Sequence, residues 1–120
     1  MNIISMIGKI VDVNDLGYAL VKRLTISSGN AEVEVEVPVR VLQEANFYAV
    51  KDRDVEFEVS HEVGDLDKWQ IVMSGEVYLK NEKEKLVFSS LGGLRLAIKS
   101  EEFYRDLKVG DKIYFKLRSV

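Results

Sequence analysis

Hydrophobic and polar residues alternate along most of the chain. Residues 31–37 place three valines on one side of the backbone and three glutamates on the other, and residues 54–59 and 111–118 repeat this two-residue period. Such alternation is typical of antiparallel strands with one face in a core and one face in solvent. Other segments dense in Val, Ile, Leu, Tyr and Phe are also predicted as strands. The full set is 3–13, 18–27, 31–37, 54–59, 69–79, 85–90, 93–98 and 111–118.

Two segments depart from the alternation. Residues 38–52 begin at Pro38 and predict a short helical or irregular crossover. Residues 100–107 predict one or two helical turns, because Ser100 can cap a helix whose first turn carries acids. Gly29 and Asn30 separate two alternating runs and predict a tight hairpin. Eight short strands without a long helix predict an all-β domain, either a closed barrel or a sandwich.

Gly75 interrupts the strand predicted at residues 69–79. A glycine inside a strand marks a bulge, a sharp barrel bend or a close approach of another backbone. A role in binding is possible in principle for such a position, and we favour the bend. No repeat is visible in the sequence.

Length and composition limit the class of protein. The chain has 120 residues, 47% of them hydrophobic, with one proline and no cysteine, which predicts a single folded domain over residues 1–120 without disulfides or cysteine-based metal sites. Residues 1–6 lack the basic region and long apolar core of a signal peptide, and no apolar stretch is long enough to cross a membrane. We therefore expect a soluble cytoplasmic protein.

The charge is distributed unevenly. Residues 1–67 carry six Lys and Arg against 13 Asp and Glu, whereas residues 68–120 carry 11 against seven, within a net charge of −3. The negative total argues against a general duplex-DNA binder. The asymmetry suggests a surface for a partner, although exposed charges often serve only solubility.

Residue types that support catalysis are sparse. His61 is the only histidine and is interpreted as a solvated surface residue. The alternating glutamates could be a carboxylate cluster for a metal or a glycosidase, but their regular spacing with valines favours an exposed sheet face. Gly92 and Gly93 occur without the lysine of a phosphate-binding loop and predict a turn. We expect no catalytic residue, no metal and no cofactor.

One group of basic residues is interleaved with an aromatic ring on the last strand. Its members are Lys112, Tyr114, Lys116 and Arg118, and Arg95 and Lys99 alternate similarly after Gly93. Such a face could track phosphates and stack a base of a single-stranded nucleic acid. It could equally pair with an acidic protein segment, or be merely solvated.

Residues 67–98 resemble a known family, the eighth-subunit family of multi-subunit DNA-directed RNA polymerases. In that family a strand containing Val-Met, Gly and Tyr leads through an acidic turn to a strand that carries a serine and Gly-Gly-Leu. The matching positions are Val72, Met73, Gly75, Tyr78, Ser89, Gly92, Gly93, Leu94 and Leu96. Arg95 and Phe88 depart from the family pattern, which has an apolar residue and a tyrosine there. Because the chain lacks a long acidic loop, the shorter archaeal type within this family is the closer match.

The resemblance implies an eight-stranded closed barrel of the oligonucleotide-binding kind. It also implies a noncatalytic subunit that docks on the outside of the largest polymerase subunit and stabilises it, with nucleic acid contacted only through the complex. The expected docking residues are Gly92, Gly93, Leu94, Arg95, Lys112, Tyr114, Lys116 and Arg118. The glycines would permit close backbone approach and the cations would complement an acidic partner, by strand addition at an exposed edge. Reversing the charges of Lys116 and Arg118 would then weaken docking without unfolding the chain. The alternative is a free-standing single-stranded nucleic-acid-binding protein that uses the same basic face.

Overall fold

The computed structural model describes residues 4–17 and 20–120. They contain eight strands and two short helices in the order βββαβ-βββαβ. The strands are β1 (Ile4–Leu16), β2 (Val21–Ser27), β3 (Glu32–Pro38), β4 (Asp54–Ser60), β5 (Ile71–Asn81), β6 (Leu86–Leu91), β7 (Leu94–Lys99) and β8 (Lys112–Ser119), and the helices are α1 (Val39–Glu44) and α2 (Glu101–Asp106).

The strands form one closed antiparallel barrel. Around the ring the order is β1-β2-β3-β7-β6-β5-β8-β4, and β4 pairs with β1 to close it. The prediction of an all-β, eight-stranded closed barrel with short helical turns is confirmed. The alternative, a sandwich of two sheets, is wrong. Strand β3 pairs with β7 and β4 pairs with β8, so the two halves of the chain form one closed sheet.

The two-residue period decides which side chains fill the barrel. Every second residue of β3 and β4, and of residues 112–118 in β8, lies inside and is at most 1% exposed, since successive side chains of a strand point to opposite faces. Phe57 and Phe115 stack at 6.3 Å between ring centroids, and Phe103 of α2 lies 6.3 Å from Phe57 on another side. These rings and the aliphatic side chains around them form one continuous core.

Each helix closes one end of the barrel. Helix α1 follows β3 and buries Leu42, and Phe47 after it is also buried. Helix α2 follows β7 and buries Phe103; its first turn is capped by Ser100, whose Oγ accepts a hydrogen bond from the Phe103 N–H at 3.3 Å. Because β3 and β7 are antiparallel neighbours, the two helices lie at opposite ends.

The topology contains a repeat that the sequence does not reveal. Each half has three strands, a six-residue helix and a fourth strand. If each strand of the first half is exchanged with its counterpart in the second (β1 with β5, β2 with β6, β3 with β7, β4 with β8), the order of strands around the ring stays the same. In each half the first strand pairs with two neighbours in succession: β1 with β4 and then β2, β5 with β8 and then β6. Gly8 and Gly75 are equivalent positions, one residue before the second neighbour begins to pair.

Strand limits differ from the predicted ones mainly in β1. Residues 14–16, which the predicted strands at 3–13 and 18–27 leave out, continue β1 and pair with residues 21–23. The predicted start of β2 at residue 18 lies outside the described residues. The hairpin at Gly29 and Asn30 is confirmed, since the Ser28 N–H donates to the Ala31 carbonyl at 2.9 Å. Neither helix in the described ranges is long and apolar enough to cross a membrane.

Candidate functional site

A β-bulge in β5 brings Tyr78 to the surface. The register between β5 and β6 shifts between Val77 and Leu79, so that Tyr78 has no partner across the strand pair. A bulge leaves the extra residue unpaired and bends the strand. As a result two large side chains in succession, Tyr78 and Leu79, are exposed to 49% and 51%.

Tyr78 begins a row of side chains that crosses the outside of four strands. Its ring lies 6.4 Å from the ring of Phe88 on β6, and the guanidinium of Arg95 on β7 lies 6.0 Å from the Phe88 ring. Arg95 in turn donates to Glu34 on β3 at 2.9 Å. The row therefore forms a surface of two tilted aromatic rings and one guanidinium, and Glu34 neutralises the positive charge of that guanidinium.

A small cleft of about 280 Å³ lies beside this row. It is lined by Tyr78, Ser89, Ser90, Gly93, Leu94 and Arg95. Ser89 is fully buried, and its hydroxyl has no hydrogen-bond partner among the described residues. Gly93, Leu94 and Arg95, which were expected to dock a partner, therefore line this cleft. So do Tyr78 and Ser89, which only the family resemblance singled out.

The turn between β6 and β7 supplies one wall of the cleft. Gly92 and Gly93 have φ of 61° and 92°, a region in which side chains with a Cβ are strained. The Gly93 N–H donates to Ser90 Oγ at 3.2 Å. A Cβ at either glycine would meet nothing within 4 Å, so the open space above this turn is available to another molecule.

The residues predicted on the last strand form a second, separate row. Lys112 is exposed, with its ammonium 5.6 Å from the Tyr114 ring. Strand β5 lies between this row and the cleft, because Lys112 and Tyr114 pair with Glu76 and Ser74 of β5. The eight predicted docking residues therefore belong to two groups, one around the cleft and one along β8.

Lys116 is not the exposed cation that the alternation suggested. It is only 2% exposed and donates to Glu58, directly opposite on β4, at 3.0 Å. The loop of residues 61–70 covers it: a Cβ added at Gly64 would lie 3.3 Å from Lys116 Nζ. Lys116 is on the outer face of the sheet as predicted, but the loop buries that part of the face.

Arg118 is also engaged within the molecule. Its Nε donates to Glu56 at 2.7 Å, and Lys68 lies 3.6 Å from the same carboxylate. Burial would raise the pKa of Glu56, but the hydrogen bonds from Arg118 and Ser5 and the charge of Lys68 outweigh it and leave the pKa below its usual value. Lys116 is therefore covered, and Arg118, whose side chain is 34% exposed, already has an acidic partner within the chain.

His61 is paired rather than simply solvated. Its Nε2 lies 2.9 Å from Asp111 Oδ2, and both side chains are about one-quarter exposed, at 27% and 25%. Burial favours a raised pKa for Asp111, but hydrogen bonds from His61 and from the Lys108 N–H outweigh it and hold the pKa below its usual value. This contact joins the end of β4 to the turn before β8.

We expect the Asp111 contact to stabilise the protein at neutral pH and to be lost in acid. A carboxyl whose pKa is lower in the folded than in the unfolded chain contributes fully above the unfolded value and loses its contribution as pH falls through the folded one. The stabilities of wild type and Asp111→Asn in urea should therefore differ most above the ordinary Asp pKa of 3.8, and the difference should shrink as pH falls below that value. The exposed Asp67→Asn is the control, and a constant difference across these pH values would contradict the assignment.

Two further expectations concern metals and sheet edges. Within residues 4–17 and 20–120, no group of three His, Asp or Glu could hold a metal ion. Strand addition has no free strand in this barrel, because each of the eight described strands pairs on both sides. Where β7 diverges from β3, the Arg95 N–H donates to the Glu36 carboxylate at 2.9 Å, so a side chain occupies the place of a strand partner. The expected strand addition at an exposed edge is therefore wrong for the described barrel, which has no such edge.

Tyr78 and Phe88 belong to this surface although the residue pattern did not place them there. The sequence held one signal, for Tyr78: Val77, Tyr78 and Leu79 are three large apolar residues in succession, which interrupts the two-residue period. A bulge is not visible in one strand alone, since it is defined by the register with β6.

Comparison with known proteins does not identify the chain: no protein-family model matches it, and no curated protein matches it either.

Proposed function

We propose that this chain is a noncatalytic subunit of an archaeal-type DNA-directed RNA polymerase. It docks on the largest subunit through the outer face of β5, β6 and β7 and stabilises that subunit. The proposal begins from the resemblance of residues 67–98, and the closed barrel is the fold that the resemblance implies.

One observation carries the proposal. The nine positions that match the family pattern lie on β5, on β6, in the turn after it and on β7. Four of the nine, Tyr78, Ser89, Gly93 and Leu94, line a single cleft. A set of positions chosen only for the core would be buried inside the barrel. Tyr78 is instead half exposed, and residues at a surface cleft are suited to contact a partner.

The attraction at this face is mainly apolar. Arg95 is neutralised by Glu34, whereas Tyr78 and Leu79 leave about half of their surfaces in water. Burying such side chains contributes roughly 25 cal/mol per Å² of apolar surface, and a tyrosine next to a cleft is a frequent anchor of protein interfaces. Docking should therefore persist at high salt.

We expect the double variant Tyr78→Asp/Leu79→Asp to fold normally but to bind the largest polymerase subunit much more weakly. Two charges placed at the centre of an apolar contact should lower its recovery in a tagged pull-down at least tenfold, since about 1.4 kcal/mol suffices for that factor. Val63→Asp/Val109→Asp, at two other exposed apolar positions, is the matched control and should retain it. Equal recovery with both variants, each with wild-type thermal stability, would show that the docking face is elsewhere.

The alternative, a free-standing single-stranded nucleic-acid binder, loses support at the last strand. Lys116 and Arg118 are already paired with Glu58 and Glu56, and a phosphate would have to compete with those carboxylates. Lys112 and Tyr114 remain, as one cation beside one ring.

A further inference from the structure

A second surface feature, unrelated to the cleft at Tyr78, lies at the end of the barrel closed by α1. Helix α1 and the segment after it enclose an apolar groove of about 490 Å³. Its apolar lining consists of Val39, Leu42, Phe47, Tyr48, Ala49 and Val50. Leu42 and Phe47 form the buried floor, and Tyr48 and Val50 stand at the rim.

The rim exposes more apolar surface than the barrel requires. Tyr48 is 66% and Val50 52% exposed. Leu20 is 81% exposed and lies beside the groove, because its carbonyl accepts a hydrogen bond from the Val39 N–H at 3.0 Å. Leu20 has φ of 51°, which is unfavourable for a branched side chain. These side chains add little to the core, so their exposure is explained better by contact with another molecule.

Three unpaired cations lie in the chain segment that forms the groove, close in sequence to its lining residues, whereas Lys22 in the lining is already paired with Asp15. Of the six Lys and Arg in residues 1–67, three form ion pairs with acids. The other three, Arg40, Lys51 and Arg53, have no acid within 4.0 Å in the described part of the chain, and all lie in residues 39–53.

Local charge sets this segment apart from its surroundings. Residues 39–53 contain three cations against two acids, Glu44 and Asp52, whereas the rest of residues 1–67 contains three cations against 11 acids. The Arg53 guanidinium lies 5.9 Å from the Tyr48 ring, and its Nε is buried with no hydrogen-bond partner among the described residues. Because no described residue accepts a hydrogen bond from this Nε, a carboxylate of another molecule would stabilise the Arg53 guanidinium.

We propose that this groove binds a short acidic peptide segment of a partner protein, one that carries two or more large apolar side chains among Asp and Glu residues. The apolar side chains would fill the space above Leu42 and Phe47, while the carboxylates meet Arg40, Lys51 and Arg53. This combination of an apolar groove and a complementary charged rim is a common way for domains to bind peptides. The proposal does not depend on the polymerase assignment, because no residue lines both the groove and the Tyr78 cleft.

Selection from a random library of displayed peptides, each about a dozen residues long, tests the chemistry of the occupant. The full chain is the bait, and the enriched peptides are then synthesised. We expect them to combine acidic and large apolar residues and to perturb backbone amide NMR signals of residues 39–53. Enrichment of neutral or basic peptides, enrichment of none, or perturbation confined to other residues would overturn the proposal.

Charge reversal on the rim tests the role of the cations. Arg40→Glu/Lys51→Glu changes two exposed side chains and should weaken the selected peptide about tenfold, equivalent to about 1.4 kcal/mol. The matched control is Lys83→Glu/Lys108→Glu, which makes the same change in net charge at exposed positions elsewhere. Equal weakening by both pairs would show a general charge effect and would contradict a specific groove.

Discussion

Replacement of Lys116 by methionine is expected to lower the free energy of unfolding by about 3–5 kcal/mol, the usual cost of removing one partner of a buried ion pair. The Lys116 side chain is 2% exposed, and its ammonium lies 3.0 Å from the Glu58 carboxylate. Methionine retains much of the apolar stem but leaves the Glu58 carboxylate, itself only 15% exposed, without its cation. Unfolding in urea measures the loss, with the slope checked for an unchanged two-state transition.

Lys112→Met provides the matched control. Lys112 lies on the same strand and the same outer face but is exposed, and it forms no ion pair within the described ranges. Its replacement should change stability by no more than about 0.5 kcal/mol. If the two variants unfold at the same urea concentration, Lys116 is not buried as described.

The burial of Lys116 also changes how docking must be tested. Reversal of charge at Lys116 places a carboxylate beside Glu58 under the loop of residues 61–70, so such a variant is expected to unfold. If that variant failed to bind a partner, the failure would reflect its unfolding and not the loss of a docking contact. Changes at Tyr78 and Leu79 avoid this difficulty, because both side chains are half exposed.

Replacement of Gly75 by alanine is the second change with a large expected effect. A Cβ at this position would overlap the Ser90 carbonyl oxygen and would lie 2.8 Å from its carbon and 2.9 Å from Leu91 Cα. Backbone atoms of a paired strand cannot move aside without breaking the register of β5 and β6. We expect a loss of about 3 kcal/mol or more, at or above the upper end of the usual cost of overpacking, measured by thermal and urea unfolding.

Two other glycines calibrate this prediction. A Cβ at Gly29 meets nothing within 4 Å, so Gly29→Ala should be neutral or stabilising by up to about 1 kcal/mol. At Gly8, the equivalent of Gly75 in the other half, the nearest atom is the Ser27 oxygen at 2.8 Å, and the loss should be intermediate. The loss of stability should be largest at Gly75, smaller at Gly8 and absent at Gly29. Any other order would contradict the close contacts described where β1 and β5 change from one neighbouring strand to the next.

The fold was largely predictable because burial alternates with position in strands such as β3, β4 and β6. Val33, Val35 and Val37 are fully buried, as their spacing with glutamates indicates. The same local pattern could not give the ring order, since the pairing of β3 with β7 joins residues more than 60 positions apart. The repeat of two βββαβ halves is a property of that pairing, and the equivalent glycines, Gly8 and Gly75, do not reveal it in the sequence alone.

The site was less predictable for the same physical reason. Alternation correctly put Lys116 on the outer face, but only the path of residues 61–70 decides that this part of the face is covered. His61 looked solvated because its partner, Asp111, is 50 positions away. The groove at α1 had one visible signal, the apolar run from Phe47 to Val50 outside any predicted strand, which local pattern alone could not distinguish from an irregular crossover.

Docking of this chain on the largest subunit of an RNA polymerase is tested most directly by a tagged pull-down from native extract of the source organism. The extract is treated with nuclease and washed at high salt, and the recovered proteins are quantified by mass spectrometry. We expect to recover the largest polymerase subunit in equal molar amount with the tagged chain. Recovery of the chain alone, or with nucleic acid that nuclease removes, would contradict the proposed role.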